Sequence, residues 1–111
     1  MTISTHVLDT SIGRPAAAVD VRLLVREADG TWREIANATT GADGRVAALG
    51  SALDVGAYCL RFDVGSYFRA ARGTDSFYSV VNVEFNAADP SAHYHVPLLV
   101  SPYGYSTYRG S

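Results

Sequence analysis

Short stretches of alternating apolar and polar residues, broken by glycine and aspartate roughly every ten residues, leave this chain few folds to choose from. In AVDVRLLVRE, alternation sets Val19, Val21, Leu23 and Val25 on one face of a strand. Asp29-Gly30 then supplies a strong hairpin signal, and WREIANATT returns. A second Asp-Gly pair, Asp43-Gly44, turns the chain within TTGADGRV. In AYCLRFDVG, Tyr58, Leu60, Phe62 and Val64 fall on one side, against Cys59, Arg61 and Asp63. YSVVNVEFN and AHYHVPLLV follow, both rich in β-branched and aromatic residues. Only YFRAARGTDSFY breaks the pattern, and it predicts one short helix closing at Gly73. Pro97 cannot donate to a ladder, so it marks an edge strand or a bulge, and Pro102 separates that strand from a last one in the tail. The pattern predicts an all-β sandwich of seven or eight strands in two sheets.

At 111 residues the chain is expected to form one domain, residues 1–111, with a single core. A charged share of 18% is low enough to suggest that other copies of the chain cover part of its surface. The net charge of −2 argues against nucleic acid or an anionic membrane as partner. Cys59 is the lone cysteine, so no intrachain disulfide forms. No stretch approaches the ~20 apolar residues of a membrane span. The opening MTISTHVLDT has neither the basic region nor the apolar run of a secretory leader, and the expected compartment is the cytoplasm. There the acceptor tripeptide Asn37-Ala38-Thr39 would stay unglycosylated.

Histidine is scarce, and its placement carries the chemistry. His93 and His95 lie two apart in HYHVP, on one face of a strand, and His6 lies in a candidate first strand, STHVLD. Such a set could bind zinc, yet no cysteine or carboxylate cluster accompanies the pair, and structural histidines fit as well. Arg45 directly follows the Asp43-Gly44 turn, which fixes a cation at a strand mouth; taken alone it reads as a solvated arginine. GADG lacks the Gly-Lys-Ser/Thr ending of a phosphate loop, and no Gly-x-Ser-x-Gly elbow exists. Cys59 alternates inside a strand and is expected to be buried, while Asp9 and Asp20 read as strand-end residues. The tail SPYGYSTYRGS, with Tyr103, Tyr105 and Tyr108, is too aromatic for a frayed end.

Together STHVLD, DGR and HYHVPLLVSPYGYSTYRGS resemble the 5-hydroxyisourate hydrolases, the transthyretin-related enzymes of urate breakdown. The likeness spans essentially the whole chain, includes GRPA after the first strand, and is most specific in the terminal Tyr-Arg-Gly-Ser. One departure is Ser79, where many relatives have proline after the Phe-Tyr pair that follows the helix. The resemblance implies a transthyretin-like sandwich of two antiparallel four-stranded sheets with one short helix. It also implies a homotetramer, a dimer of dimers with clefts at the dimer–dimer interface. No metal or cofactor is expected, since no carboxylate or cysteine ligand stands beside the histidines.

Carried over residue by residue, the catalytic set would be His6, Arg45 and His95, with Tyr108 and Ser111 of the tail shaping the substrate pocket. The reaction implied opens the ring of 5-hydroxyisourate in purine degradation, giving 2-oxo-4-hydroxy-4-carboxy-5-ureidoimidazoline. A neutral imidazole can take a proton from water near neutral pH, and a guanidinium can stabilise the developing oxyanion. His93 is expected to have a supporting role at most. Two rival readings are a transthyretin-like carrier of small aromatic ligands without catalysis, and a metal-binding structural protein.

Overall fold

A computed structural model describes residues 1–111. In chain order the elements are β1 (Thr2–Asp9), β2 (Arg14–Pro15), β3 (Asp20–Arg26), β4 (Trp32–Thr39), β5 (Arg45–Val46), β6 (Gly56–Phe62), α1 (Val64–Arg72), β7 (Val81–Ala87), β8 (His93–His95), β9 (Leu98–Ser101) and β10 (Gly104–Thr107). They form two sheets whose inner faces, with the helix, enclose a cluster of 21 buried residues. One sheet is the antiparallel four-stranded sheet expected, in the order β4-β3-β6-β7. Val19, Val21 and Leu23 are buried as the alternation required. A register shift between Leu23 and Leu24 follows, and Val25 is only partly buried.

The other sheet departs from expectation. It holds six short strands rather than four, and it is mixed rather than antiparallel. β1 is its hub, antiparallel to β2 and β5 but parallel to β8 and β9. Pro97, which has no amide hydrogen to offer, divides β8 from β9. It does not create an edge strand, since β9 lies between β1 and β10. The break is bridged from β1, where the Ser4 carbonyl accepts from the Val96 amide (3.0 Å) and the Thr5 hydroxyl donates to the Val96 carbonyl (2.6 Å).

The helix also begins earlier than the sequence predicts. The period-2 pattern of β6 runs on to Val64, but the strand ends at Phe62 and Asp63 caps α1, accepting from the Ser66 amide (3.2 Å). Val64, Tyr67 and Phe68, spaced i, i+3, i+4, then form the buried face. Gly73 ends the helix in the left-handed conformation, with Arg69 and Arg72 favourably placed in the last turn. Tyr67 reaches the end of β1, where its hydroxyl donates to the fully buried carboxylate of Asp9 (2.8 Å). Asp9 also accepts from the Ser11 amide (3.0 Å) and hydroxyl, and the Arg72 guanidinium lies 3.8 Å away. A buried charge is tolerable only when paired in this way. Burial, then the bond to Asp9 and its charge, push the Tyr67 phenol up to about 12.

Candidate active site

β1 turns Ile3, Thr5, Val7 and Asp9 into the core and leaves Thr2, Ser4 and His6 on the opposite face. Its parallel pairing with β8 sets Thr2 across from His93 and Ser4 across from His95. Ser4 Oγ is consequently hydrogen-bonded to both imidazoles, at 2.7 Å from His95 Nδ1 and 2.8 Å from His93 Nε2. Thr2 Oγ1 in turn bonds His93 Nδ1.

Antiparallel pairing with β5 sets His6 across from Arg45. The Asp43-Gly44 turn that delivers Arg45 is tight. The Val7 amide donates to the Gly44 carbonyl (2.8 Å), Gly44 has φ 77°, and a Cβ there would run into the Val7 carbonyl oxygen. Only glycine fits. Asp43 braces the turn by accepting from the Arg45 amide (3.0 Å), and its carbonyl accepts from His6 Nε2 (2.8 Å). A carbonyl cannot donate, so His6 Nε2 carries a hydrogen and Nδ1 is its open nitrogen whenever the ring is neutral.

Arg45, His93, His95 and Ser111 line an open cleft of about 300 Å³, together with Ser4, Thr5, Val46 and Ala47. No Asp or Glu side chain lines it, and Arg45 joins none of the four ion pairs of the molecule. Burial, then the charges of Arg45, His6 and His93, hold His95 below the ordinary imidazole range. His95 is therefore neutral at pH 7 and able to accept a proton. A larger cleft of about 430 Å³ lies on the other sheet, but Arg22 there is bonded to Asp20 and Glu34 (both 3.1 Å), the pattern of a solvated ion-pair face. No three His, Cys, Asp or Glu side chains converge as metal ligands.

The tail reaches the cleft beyond the end of its last strand. β10 ends at Thr107, whose hydroxyl donates to the Pro97 carbonyl (2.7 Å). Beyond it the Arg109 guanidinium lies 4.8 Å from the centroid of the Tyr94 ring. Gly110 makes a single antiparallel bridge to His95, its amide donating to the His95 carbonyl (2.7 Å). Ser111 thereby enters the cleft. Tyr108 does not; it is exposed and lines a separate groove with Val83, Phe85, Tyr94 and Arg109. Of the residues singled out from sequence, Arg45, His93, His95 and Ser111 share one cleft, and His6 is paired across from Arg45. Ser4 was missed, although the polar alternation Thr2-Ser4-His6 was a signal for it.

The model of the HIUase/Transthyretin family matches residues 3–110. The chain belongs to that family. Among HIUase/Transthyretin relatives, a 5-hydroxyisourate hydrolase of Caulobacter vibrioides is 46% identical over 114 residues, covering 98% of this chain and 97% of the relative. The structure of Klebsiella pneumoniae 5-hydroxyisourate hydrolase superposes with a TM-score of 0.86 at 42% identity, over the full length of both chains. Transthyretin from Sparus aurata, of the same family, gives a TM-score of 0.89 at 32% identity, over 97% of this chain and 95% of that one. The family fold thus serves proteins of both names. No helix of this member is long and apolar enough to cross a membrane.

Proposed function

We propose that this protein hydrolyses 5-hydroxyisourate, the substrate named in the hydrolase relatives above, to 2-oxo-4-hydroxy-4-carboxy-5-ureidoimidazoline. The observation that carries the reading is an unpaired arginine and a neutral histidine in one cleft, Arg45 and His95, on a fold shared with those hydrolases. Water attacks a ring carbonyl while His95 Nε2 takes its proton. Arg45 stabilises the oxyanion as it forms. The carbon–nitrogen bond then breaks, and the imidazolium returns the proton to the departing nitrogen. His6, anchored through Nε2 to the Asp43 carbonyl, directs Nδ1 to substrate or water, and Ser111 helps hold the ring.

The chain acts as one domain, in the cytoplasm, and as a homotetramer. The outer edges of β7 and β10 have no partner strand, and a groove of about 230 Å³ is lined by Val83 to Asn86 of β7, by Tyr94 and Val96, and by Thr107, Tyr108 and Arg109. Unpaired edges invite a second copy, and Tyr108 is then a contact between subunits. The test of function is to generate 5-hydroxyisourate with urate oxidase and follow its ultraviolet decay with and without the protein. Accelerated decay supports the hydrolase. Saturable binding with unchanged decay would instead favour a carrier of the transthyretin kind.

A further inference from the structure

The hydroxyl of Ser4 is nearly buried and touches two imidazole nitrogens at once. It owns one hydrogen, and a neutral imidazole carries one as well. Two arrangements of the chain from His95 to Thr2 satisfy every atom. In the first, His95 Nδ1–H donates to Ser4 Oγ, Ser4 donates to His93 Nε2, and His93 Nδ1–H donates to Thr2 Oγ1. In the second every hydrogen is reversed, and His95 carries its hydrogen on Nε2. Arg45 and His95 line the same cleft, and the Arg45 charge acts on the His95 ring. A guanidinium has only donors, so it disfavours a second donor facing the same cleft and favours a lone pair.

We propose that Ser4 is a positioning residue whose hydroxyl, directed by His93, holds His95 in the tautomer that presents a bare Nε2 to the cleft. This rests on the reading of His95 as the base. When Nε2 takes the proton of water, Nδ1–H stays bonded to Ser4, and the Ser4 hydrogen already points at His93. No heavy atom has to move, and the proton goes back from Nε2 to the leaving nitrogen. His93, exposed and two residues away, gains a defined purpose without touching substrate. Without Ser4, nothing else bonded to Nδ1 would oppose the Nε2–H tautomer that free histidine favours.

The test combines imidazole nitrogen NMR of histidine-labelled, substrate-free protein with kinetics, on the full chain. In the unaltered protein His95 should show a protonated Nδ1 and a bare Nε2 above its titration. Ser4→Ala should shift it toward Nε2–H and lower kcat at least tenfold, toward the roughly 10⁴-fold that a wrong tautomer costs a catalytic imidazole, with KM little changed. Ser4→Thr, which restores the hydroxyl, should recover both. His93→Ala removes the acceptor from an exposed position and should move His95 in the same direction as Ser4→Ala, by a smaller amount. An Nε2–H tautomer in the unaltered protein would overturn the proposal. So would a folded Ser4→Ala protein with unchanged tautomer and kcat. If His95→Ala hydrolyses at full rate, the base assignment itself falls, and the NMR result then judges the Ser4 arrangement alone.

Discussion

Gly110 lies against the imidazole of His95 so closely that a Cβ would stand 2.5 Å from His95 Cδ2 and 3.1 Å from Cγ. The same glycine donates its amide to the His95 carbonyl (2.7 Å). The ring is thus held on one side by the tail and at Nδ1 by Ser4. Gly110→Ala should tilt the ring away from both, and a misplacement of this order can cost about 10²-fold in rate. Thermal melting should hardly change, because the tail lies outside the core. Full activity in Gly110→Ala would show that the ring position is not critical.

Arg45 should be harder to replace than its exposure suggests. Removing a donor that stabilises an oxyanion costs about 10²–10³ in kcat, and Arg45→Ala is expected in that range. Arg45→Lys should recover only part, since an ammonium cannot reproduce the planar fork. Steady-state hydroxyisourate decay distinguishes these outcomes, and an unimpaired Arg45→Ala enzyme would remove the residue from the mechanism.

The depressed pKa of His95 fixes the sign of two pH effects. Activity should persist as pH falls past the ordinary imidazole value of about 6.5 and be lost only further into acid. Stability follows the same residue. The unfolded chain takes up the proton at higher pH than the folded one. The contribution of His95 is therefore complete above about 6.5 and is lost as pH falls from there through the folded pKa. His95→Gln should flatten that limb of the melting-temperature profile. A rise in stability with acid across this window in the unaltered protein would contradict the sign.

Deleting Tyr108 to Ser111 should abolish most activity and leave the sandwich folded, because β10 ends at Thr107. Arg109→Ala tests the anchor more gently. An exposed cation–π contact contributes about 0.5–1 kcal/mol, so roughly two- to fivefold loosening of the tail is expected, read as a modest loss of kcat/KM. A truncated protein that melts normally and keeps its activity would make the tail dispensable.

Tyr67→Phe leaves the buried Asp9 carboxylate one hydrogen bond short. The expected cost is about 1–3 kcal/mol of stability, or about 4–8 °C of melting temperature for each kcal/mol in a domain near this size. Activity below the transition should be retained, since the pair lies outside the cleft.

Periodicity found most of the strands, both Asp-Gly turns and the helix stop at Gly73, because each of these is decided by neighbours in sequence. It misread the start of the helix. Tyr58, Leu60, Phe62 and Val64 satisfy a period of two, while Val64, Tyr67 and Phe68 satisfy a helix, and only the capping carboxylate of Asp63 breaks the tie. The catalytic candidates were legible as residue types and by resemblance. Their supports were not, because the bonds from Ser4 to His93 and His95 depend on a parallel register between residues far apart in the chain. The resemblance placed Tyr108 with the substrate, whereas the chain leaves the ladder at Thr107 and Tyr108 lines a separate groove.

That parallel register between β1 and β8–β9 also sets an order of events. The β4-β3-β6-β7 sheet is joined through antiparallel neighbours, whereas β1 must find partners some 90 positions further along, as in the bond from Ser4 to His95. Closing so long a loop carries an entropic penalty before any contact rewards it. On refolding, strand signal and burial of Tyr58 should return before hydrolysis does. Catalysis would then act as the molecule's own report that assembly is finished, and a partly folded chain would carry every residue of the site yet turn over nothing.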